Sequence, residues 1–340
     1  MHKKTLMATA GVVLTFALAA CSGGAGSSST PSASGGDTSD GAPATAAQLN
    51  ITFVKGVLGD PFYTTMECGI RDAAAKAGNV TLDVQGPTKW DASVQEPILA
   101  AVVAKKPDAL IFVPVDSTAL QAPLQQAAAG GLKIGLVDET VDDPSFAFTQ
   151  VSSDNVGGGA KAFQAVKQLV PDGGKVMVLS TMPGVPTVDQ RQQGFEDAVK
   201  ADPNYDYVGV QYDQDDASKA ASVVTAMLQK YPDLKAIFAT NVYSAEGAAT
   251  GLKQANKADQ VKIVGYDASP DEVKALQEGS VQALIAQQPF VEGQQVLEQA
   301  VKAATGQTTT PTIQTSTTII TKDMLGTPAG DAAVYVSSCS

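Results

Sequence analysis

The sequence predicts an α/β fold in which parallel sheets are covered by helices on both faces. Three observations predict it. From residue 49 onward one pattern recurs: a short apolar run that reads as a buried strand, a polar turn, then an Ala-rich amphipathic stretch of about three to four turns. Alternation of strand and helix at this regularity implies crossover connections, hence parallel strands. Residues 48–340 are also long enough for two domains of ordinary size.

Taken in order, the first strand is expected at 49–55 and leads through Gly59-Asp60-Pro61 into a helix at 61–77. Strands at 80–85 and 109–113, the latter reading Ala-Leu-Ile-Phe-Val, alternate with helices at 91–105 and 117–129. Apolar runs at 133–137 and 147–150 follow each other with only a loop between them, before a helix at 155–170. The alternation then resumes with strands at 174–180, 206–211, 235–239, 260–265 and 281–286. Helices are expected after each, at 187–201, 215–230, 243–255, 270–278 and 290–304.

The N-terminus is of another kind. Lys3 and Lys4 precede an apolar stretch at 6–20 interrupted only by Thr9, Gly11 and Thr15, which is shorter than the roughly 20 apolar residues a span requires. A charged start, a short apolar run and a small-residue site read as a secretory signal over 1–20. Leu18-Ala19-Ala20-Cys21 resembles the lipobox of bacterial lipoproteins, in which the cysteine thiol is acylated and becomes the new N-terminus. From 22 to 47 the sequence is almost entirely Ser, Gly, Ala, Thr, Pro and Asp, a composition that cannot bury enough to fold. As a coil it reaches roughly 25–30 Å, which suits a tether from a lipidated Cys21 to a globular body.

Composition removes several function classes. A net charge of −12 without a Lys/Arg cluster argues against nucleic acid. The one histidine is His2, inside the signal, so histidine is unavailable for a catalytic triad or a metal site, and neither metal nor cofactor is expected. With Cys21 acylated, Cys68 and Cys339 remain as a disulfide pair in an oxidising compartment, the alternative being two unpaired thiols.

In parallel sheets, ligands bind beyond the carboxyl ends of the strands. Those positions are polar here: Asp60 with Phe62 and Tyr63, Pro114-Val115-Asp116, Asp138-Glu139, Ser153-Asp154-Asn155, Asn241, Asp267 and Gln287-Gln288-Pro289. Each Asp or Asn alone reads as an ordinary helix cap. Together, with the two aromatics and Arg191, they read as the lining of a polar cleft.

The segments Asp60-Pro61-Phe62-Tyr63, Val137-Asp138, Ser153-Asp154-Asn155-Val156-Gly157-Gly158, Arg191-Gln192-Gln193-Gly194-Phe195, Phe238-Ala239-Thr240-Asn241, Val264-Gly265-Tyr266-Asp267 and Ile285-Ala286-Gln287 occur in the order and spacing of a known family. Over 49–318 the sequence resembles the type I periplasmic binding proteins of the ribose-binding group. The resemblance implies two Rossmann-like lobes joined by a three-crossover hinge. It puts 48–152 and 288–317 in an N-terminal lobe, 153–287 and 318–323 in a C-terminal lobe, and leaves 324–340 as a tail about which it says little.

The resemblance also implies a role: a monomeric solute-binding lipoprotein that captures a sugar or sugar alcohol and delivers it to an ABC permease with a cytoplasmic ATPase. The protein has no phosphate-binding G-x-x-x-x-G-K-[ST] loop of its own. Phe62 and Tyr63 match the aromatic pair that packs on sugar faces, and Arg191 matches an arginine donor. Asp138 and Asp267 match carboxylate acceptors, while Asn241 and Gln287 match amides that donate and accept.

Four positions depart from the ribose pattern. Asp60 stands for Asn, Glu139 for a second Arg, Gly56 for Ser, and Asp215 falls near the place of a further aromatic. The departures enrich the cleft in acceptors and make an alditol as plausible as a cyclic sugar. Other classes remain at this stage. A sensor presenting a sugar or quorum signal to a membrane receptor would use the same closed form. A repressor would need a helix-turn-helix where the signal and tether lie. A glycosidase could use Asp138 and Asp267, but the family is non-catalytic.

Overall fold

The structure, a computed structural model, describes residues 47–339. The signal at 1–20, Cys21 and nearly all of the tether lie outside the described residues. The fold begins with β1 (Leu49–Val54), α1 (Pro61–Ala77), β2 (Val80–Gln85), α2 (Ala92–Lys105), β3 (Ala109–Phe112), α3 (Gln121–Ala129), β4 (Ile134–Val137) and β5 (Thr149–Ser153). It continues through α4 (Asn155–Leu169), β6 (Gly174–Ser180), α5 (Pro186–Lys200), β7 (Tyr205–Tyr212), α6 (Ala217–Lys230) and β8 (Leu234–Ala239). Then follow α7 (Val242–Gln254), β9 (Lys262–Tyr266), α8 (Pro270–Glu278), β10 (Ala283–Ala286), α9 (Pro289–Ala304), β11 (Thr312–Thr315), β12 (Thr318–Thr321) and α10 (Pro328–Asp331).

These strands form two six-stranded sheets, ordered β11-β5-β4-β3-β1-β2 and β12-β10-β9-β8-β6-β7. The first is parallel throughout, and the second is parallel except for β12, which runs antiparallel to β10. Two α/β lobes result, and the polypeptide passes between them three times: after β5, after β10 and between β11 and β12.

Side-chain alternation along each strand builds two apolar layers per sheet. In the first lobe Ile51, Phe53, Ala109 and Ile111 face Met66 and Ile70 of α1 and Val296 and Leu297 of α9. The intervening Val54, Leu110 and Phe112 face Leu99 and Val102 of α2 and Leu124 of α3. The second lobe repeats the plan, with Val176, Phe238 and Val264 against α4 and α5. Facing helices approach at glycines: a Cβ at Gly69 would collide with the Phe290 carbonyl, and one at Gly159 with the Arg191 carbonyl.

Two buried polar side chains fix the strand ends that face the cleft. The amide of Gln95 donates to the carbonyls of Lys55 (3.2 Å) and Val113 (2.7 Å) and accepts from the Val115 N–H (3.1 Å), tying the ends of β1 and β3. Glu292 Oε1, in the first turn of α9, accepts from the hydroxyls of Ser153 (2.7 Å) and Thr315 (2.8 Å). One carboxylate therefore gathers the three segments that pass between the lobes.

Several sequence-based bounds are corrected. The helix expected at 117–129 starts only at Gln121, because the Asp116 carboxylate accepts from the N–H groups of Thr118 and Ala119 and holds 117–120 as a turn. β5 runs to Ser153, beyond the expected 147–150, because it pairs on its far side with β11, for which no strand was expected. β11 reads Thr-Ile-Gln-Thr and is largely exposed, so it lacks the apolar run that marks the buried strands. Of 318–323, which the resemblance assigns to the C-terminal lobe, the strand ends at Thr321, and a 3₁₀ turn occupies Lys322–Met324.

Candidate functional site

The carboxyl ends of both sheets face a cleft of about 1080 Å³ between the lobes. All ten residues singled out in the sequence line it: Asp60, Phe62, Tyr63, Asp138, Glu139, Arg191, Asp215, Asn241, Asp267 and Gln287. They come from the end of one strand or the start of the next helix, as expected of a parallel sheet.

On the first-lobe wall, Asp60 caps α1, its Oδ1 accepting from the Phe62 N–H at 2.7 Å. That cap orients the first turn so that Phe62 and Tyr63 reach the cleft, with their rings edge to face at 5.1 Å. The Tyr63 hydroxyl donates to Asp138 Oδ2 at 2.7 Å. Next to Asp138, Glu139 reaches the opposite lobe, where its Oε1 accepts from the Thr187 hydroxyl at 2.5 Å. Trp90 stacks on Tyr63, centroids 6.3 Å apart and planes at 21°. Gly56 makes that stack possible: a Cβ there would collide with the Trp90 ring and lie 2.7 Å from Tyr63 Cζ.

On the second-lobe wall, Arg191 is buried at the foot of α5 and held in three ways. Its Nε donates to Asn155 Oδ1 (2.9 Å), its Nη1 to the Thr240 carbonyl (3.0 Å), and its guanidinium lies 3.9 Å from the Tyr266 ring centroid. At least two of its five N–H donors are thereby committed. Asn241 caps α7 through the Ser244 N–H (3.0 Å) and donates to Asp215 Oδ1 (2.6 Å). Asp267 Oδ1 accepts from Gln287 Nε2 (2.6 Å) and from the Tyr335 hydroxyl (3.0 Å).

Three of the cleft aspartates have positive φ: Asp138 at 64°, Asp215 at 59° and Asp267 at 97°. Such backbone costs on the order of 1–3 kcal/mol per residue and is kept where it aims a side chain.

Burial shapes the charge of the site. It pushes the Asp60 carboxyl up to about 6, against the pull of the Phe62 N–H and with help from Asp267 and Asp215. It pushes Glu139 up to about 7, against the Thr187 hydroxyl and Arg191. Asp138 is raised well above the carboxylate range by burial and then by the charges of Glu139 and Glu292. For Arg191, burial opposes the charge, yet Tyr266, Asp267, Asp138 and Glu139 outweigh it and raise its pKa. Among the described residues, four buried oxygens at the cleft make no hydrogen bond within the protein: Glu139 Oε2, Thr181 Oγ1, Glu272 Oε1 and Gln287 Oε1.

Not every polar strand end serves the cleft. Asp116 holds its turn, Asp154 caps α4 through the Gly157 N–H (2.9 Å), and Ser153 bonds Glu292. Asn155 acts one step back, by holding Arg191. Conversely, Trp90, Thr187, Glu272 and Tyr335 line the cleft but were not singled out in the sequence. Trp90 carried a signal, being the only tryptophan and lying beyond the carboxyl end of β2. Tyr335 carried none, since only tertiary folding returns it to the cleft.

Residues 51–308 match the family described as periplasmic binding protein domain. The chain belongs to the periplasmic binding protein family. Within it, the protein is 31% identical over 264 residues to the ribose import binding protein of Salmonella typhimurium, covering 77% of this chain and 86% of the relative. It is 31% identical over 242 residues to the D-allose-binding periplasmic protein of Escherichia coli, covering 68% and 77%. A solved ABC transporter solute binding protein from Agrobacterium vitis, bound with alpha-D-tagatopyranose, superposes with a TM-score of 0.81 at 35% identity, covering 85% of this chain and all of that one. This periplasmic binding protein thus has the type I fold with two parallel-sheet lobes, and its likeness is to the ribose-binding group.

Proposed function

We propose that this protein is the solute-binding component of an ABC importer, capturing a neutral polyhydroxylated solute, a monosaccharide or alditol, between its lobes and presenting it to a permease. The observation that carries the reading is the pairing of an acceptor-rich wall with aromatic surface. Asp60, Asp215 and Asp267 line the cleft with carboxylate oxygens, Arg191 lines it with a guanidinium, and Phe62, Tyr63 and Trp90 offer faces for C–H groups. A polyol supplies hydroxyls to the first, oxygens to the second and the C–H surface of its carbon skeleton to the third. An anionic solute would meet nine acidic side chains lining the cleft against three basic ones, Lys89, Arg191 and Lys274, which disfavours carboxylates and phosphates.

The relatives' printed ligands, ribose, allose and tagatopyranose, support the same class. In this reading the ten cleft residues named above are the binding residues, and no step of covalent chemistry is assigned to them. Export through the 1–20 signal, acylation at Cys21 and the 22–47 tether would hold a monomeric receptor outside the cytoplasm, at the membrane surface. The test is a thermal-shift screen over pentoses, hexoses, alditols and inositols, with amino acids, dicarboxylates and sugar phosphates alongside, since a ligand that binds only the native state raises Tm. A rise with at least one of the pentoses, hexoses, alditols or inositols is expected. A rise confined to amino acids, dicarboxylates or sugar phosphates would refute the proposal.

A further inference from the structure

The C-terminal segment beyond β12 lies outside the family match at 51–308, yet it reaches the cleft. Tyr335 is 3% exposed. Its hydroxyl donates to Asp267 Oδ1 (3.0 Å) and accepts from the backbone N–H of Gln287 (3.0 Å), while its own N–H donates to the Ala268 carbonyl (2.9 Å). All three partners belong to the carboxyl ends of β9 and β10, in the second lobe. One residue later the allegiance changes. The Val336 N–H donates to Thr65 Oγ1 of α1 at 2.8 Å, and Cys339 is disulfide-bonded to Cys68 on the same helix of the first lobe. The Tyr335 ring meets Phe62 edge-on, centroids 5.7 Å apart. Of the three buried apolar clusters, the one containing Tyr335 joins α1 residues to Ala268 and Leu276 of the second lobe.

We infer that residues 322–339 form a disulfide-anchored latch, a fourth connection between the lobes in which Tyr335 is the positioning residue that aims Asp267 and Gln287 at the solute. The second half of this inference rests on the solute-binding reading; the first half does not. Tyr335 and Cys339 are four positions apart, a span of at most about 13–14 Å when fully extended. While Tyr335 stays docked on the second lobe, the lobes cannot part further than that span allows at this side of the cleft. The unliganded protein is thereby held near its binding geometry, which lowers the ordering cost of capture. Removing either end releases the latch: without the disulfide the tail leaves α1, and without the Tyr335 hydroxyl Asp267 and Gln287 lose their shared partner.

Trp90 is the only tryptophan and lines the same cleft, so it reports on opening without any ligand. Acrylamide quenching of Trp90 would be compared among the unliganded full-length protein, Cys68→Ser/Cys339→Ser and Tyr335→Phe, with far-UV circular dichroism to confirm folding. Titrations with D-tagatose and D-allose would follow. Both variants should show a quenching constant raised about twofold, because a less pre-organised cleft admits the quencher more often. Tyr335→Phe should also weaken whichever sugar binds the wild type by roughly 3–10-fold, the loss of one buried hydrogen-bond partner. Wild-type quenching in both variants overturns the latch, and should the double variant not fold, wild-type quenching in Tyr335→Phe alone overturns it. Raised quenching together with no binding of either sugar by the wild type keeps the latch and counts against the solute class.

Discussion

The hydroxyl of Thr187, in the first turn of α5, donates to Oε1 of Glu139 at the end of β4, so a 2.5 Å hydrogen bond joins the two walls of the cleft. The partner oxygen, Glu139 Oε2, is buried without a bond, and burial pushes this carboxyl up to about 7. Glu139 thus joins the two walls through a carboxyl whose pKa burial has raised.

A pH dependence follows, with its sign fixed by linkage. Glu139 is raised from 4.5 to about 7 and Asp60 from 3.8 to about 6, so between these limits the native state holds more protons than the unfolded state. Stability of the unliganded protein therefore falls as pH rises through that window. Scanning calorimetry should find Tm roughly 3–8 °C higher at about pH 5 than at about pH 8, from a contribution on the order of 2–3 kcal/mol. Glu139→Gln should flatten part of the slope, since Asp60 and the still higher Asp138 remain to titrate; a variant with the full wild-type slope would remove Glu139 from this account.

Arg191 is bound to its place by Asn155, Thr240 and Tyr266. Arg191→Lys keeps the charge but loses the fork and the flat face, so it should fail to restore binding. Calorimetric titration with the sugar that binds the wild type should show a loss of roughly 2–5 kcal/mol for Arg191→Ala, and most of that for Arg191→Lys. Near-wild-type affinity in the lysine variant would show that charge alone matters.

Gly56 should behave as a determinant of the aromatic wall. In Gly56→Ser the new Cβ meets Trp90 and Tyr63, so the Trp90–Tyr63 stack must move. Trp90 emission should shift and affinity fall by roughly tenfold, close to the value of one aromatic pair. An unshifted emission spectrum with unchanged affinity would mean that the ring is not held by this contact.

The anchor is tested at Cys21. Cys21→Ala should leave an unprocessed or soluble precursor that no longer incorporates labelled fatty acid, whereas normal acylation would refute the lipobox reading.

How much of this was legible before the structure depends on how local each signal is. β1 to β10 and α1 to α9 follow from apolar runs and amphipathic stretches that local sequence specifies, and the cleft residues follow because parallel sheets place them at strand ends. β11 was not legible, since Thr-Ile-Gln-Thr is an exposed edge whose pairing with β5 is a tertiary fact. Asp154 and Asp60 look alike in sequence, as each precedes a helix and caps it. Only the tertiary fold decides that the second lines the cleft and the first does not. Tyr335 reaches Asp267 across 68 positions of sequence, and no periodicity spans that interval.

The central claim is that the cleft selects a neutral polyhydroxylated solute. Isothermal titration calorimetry of the full-length protein tests it most directly, against ribose, allose, tagatose, an alditol and a cyclitol on one side and an amino acid, a dicarboxylate and a sugar phosphate on the other. The account predicts tight binding within the first group, lost by roughly 2–5 kcal/mol in Asp267→Ala, and no binding within the second. Tight binding of an anionic solute, with affinity unmoved by Asp267→Ala, would contradict it.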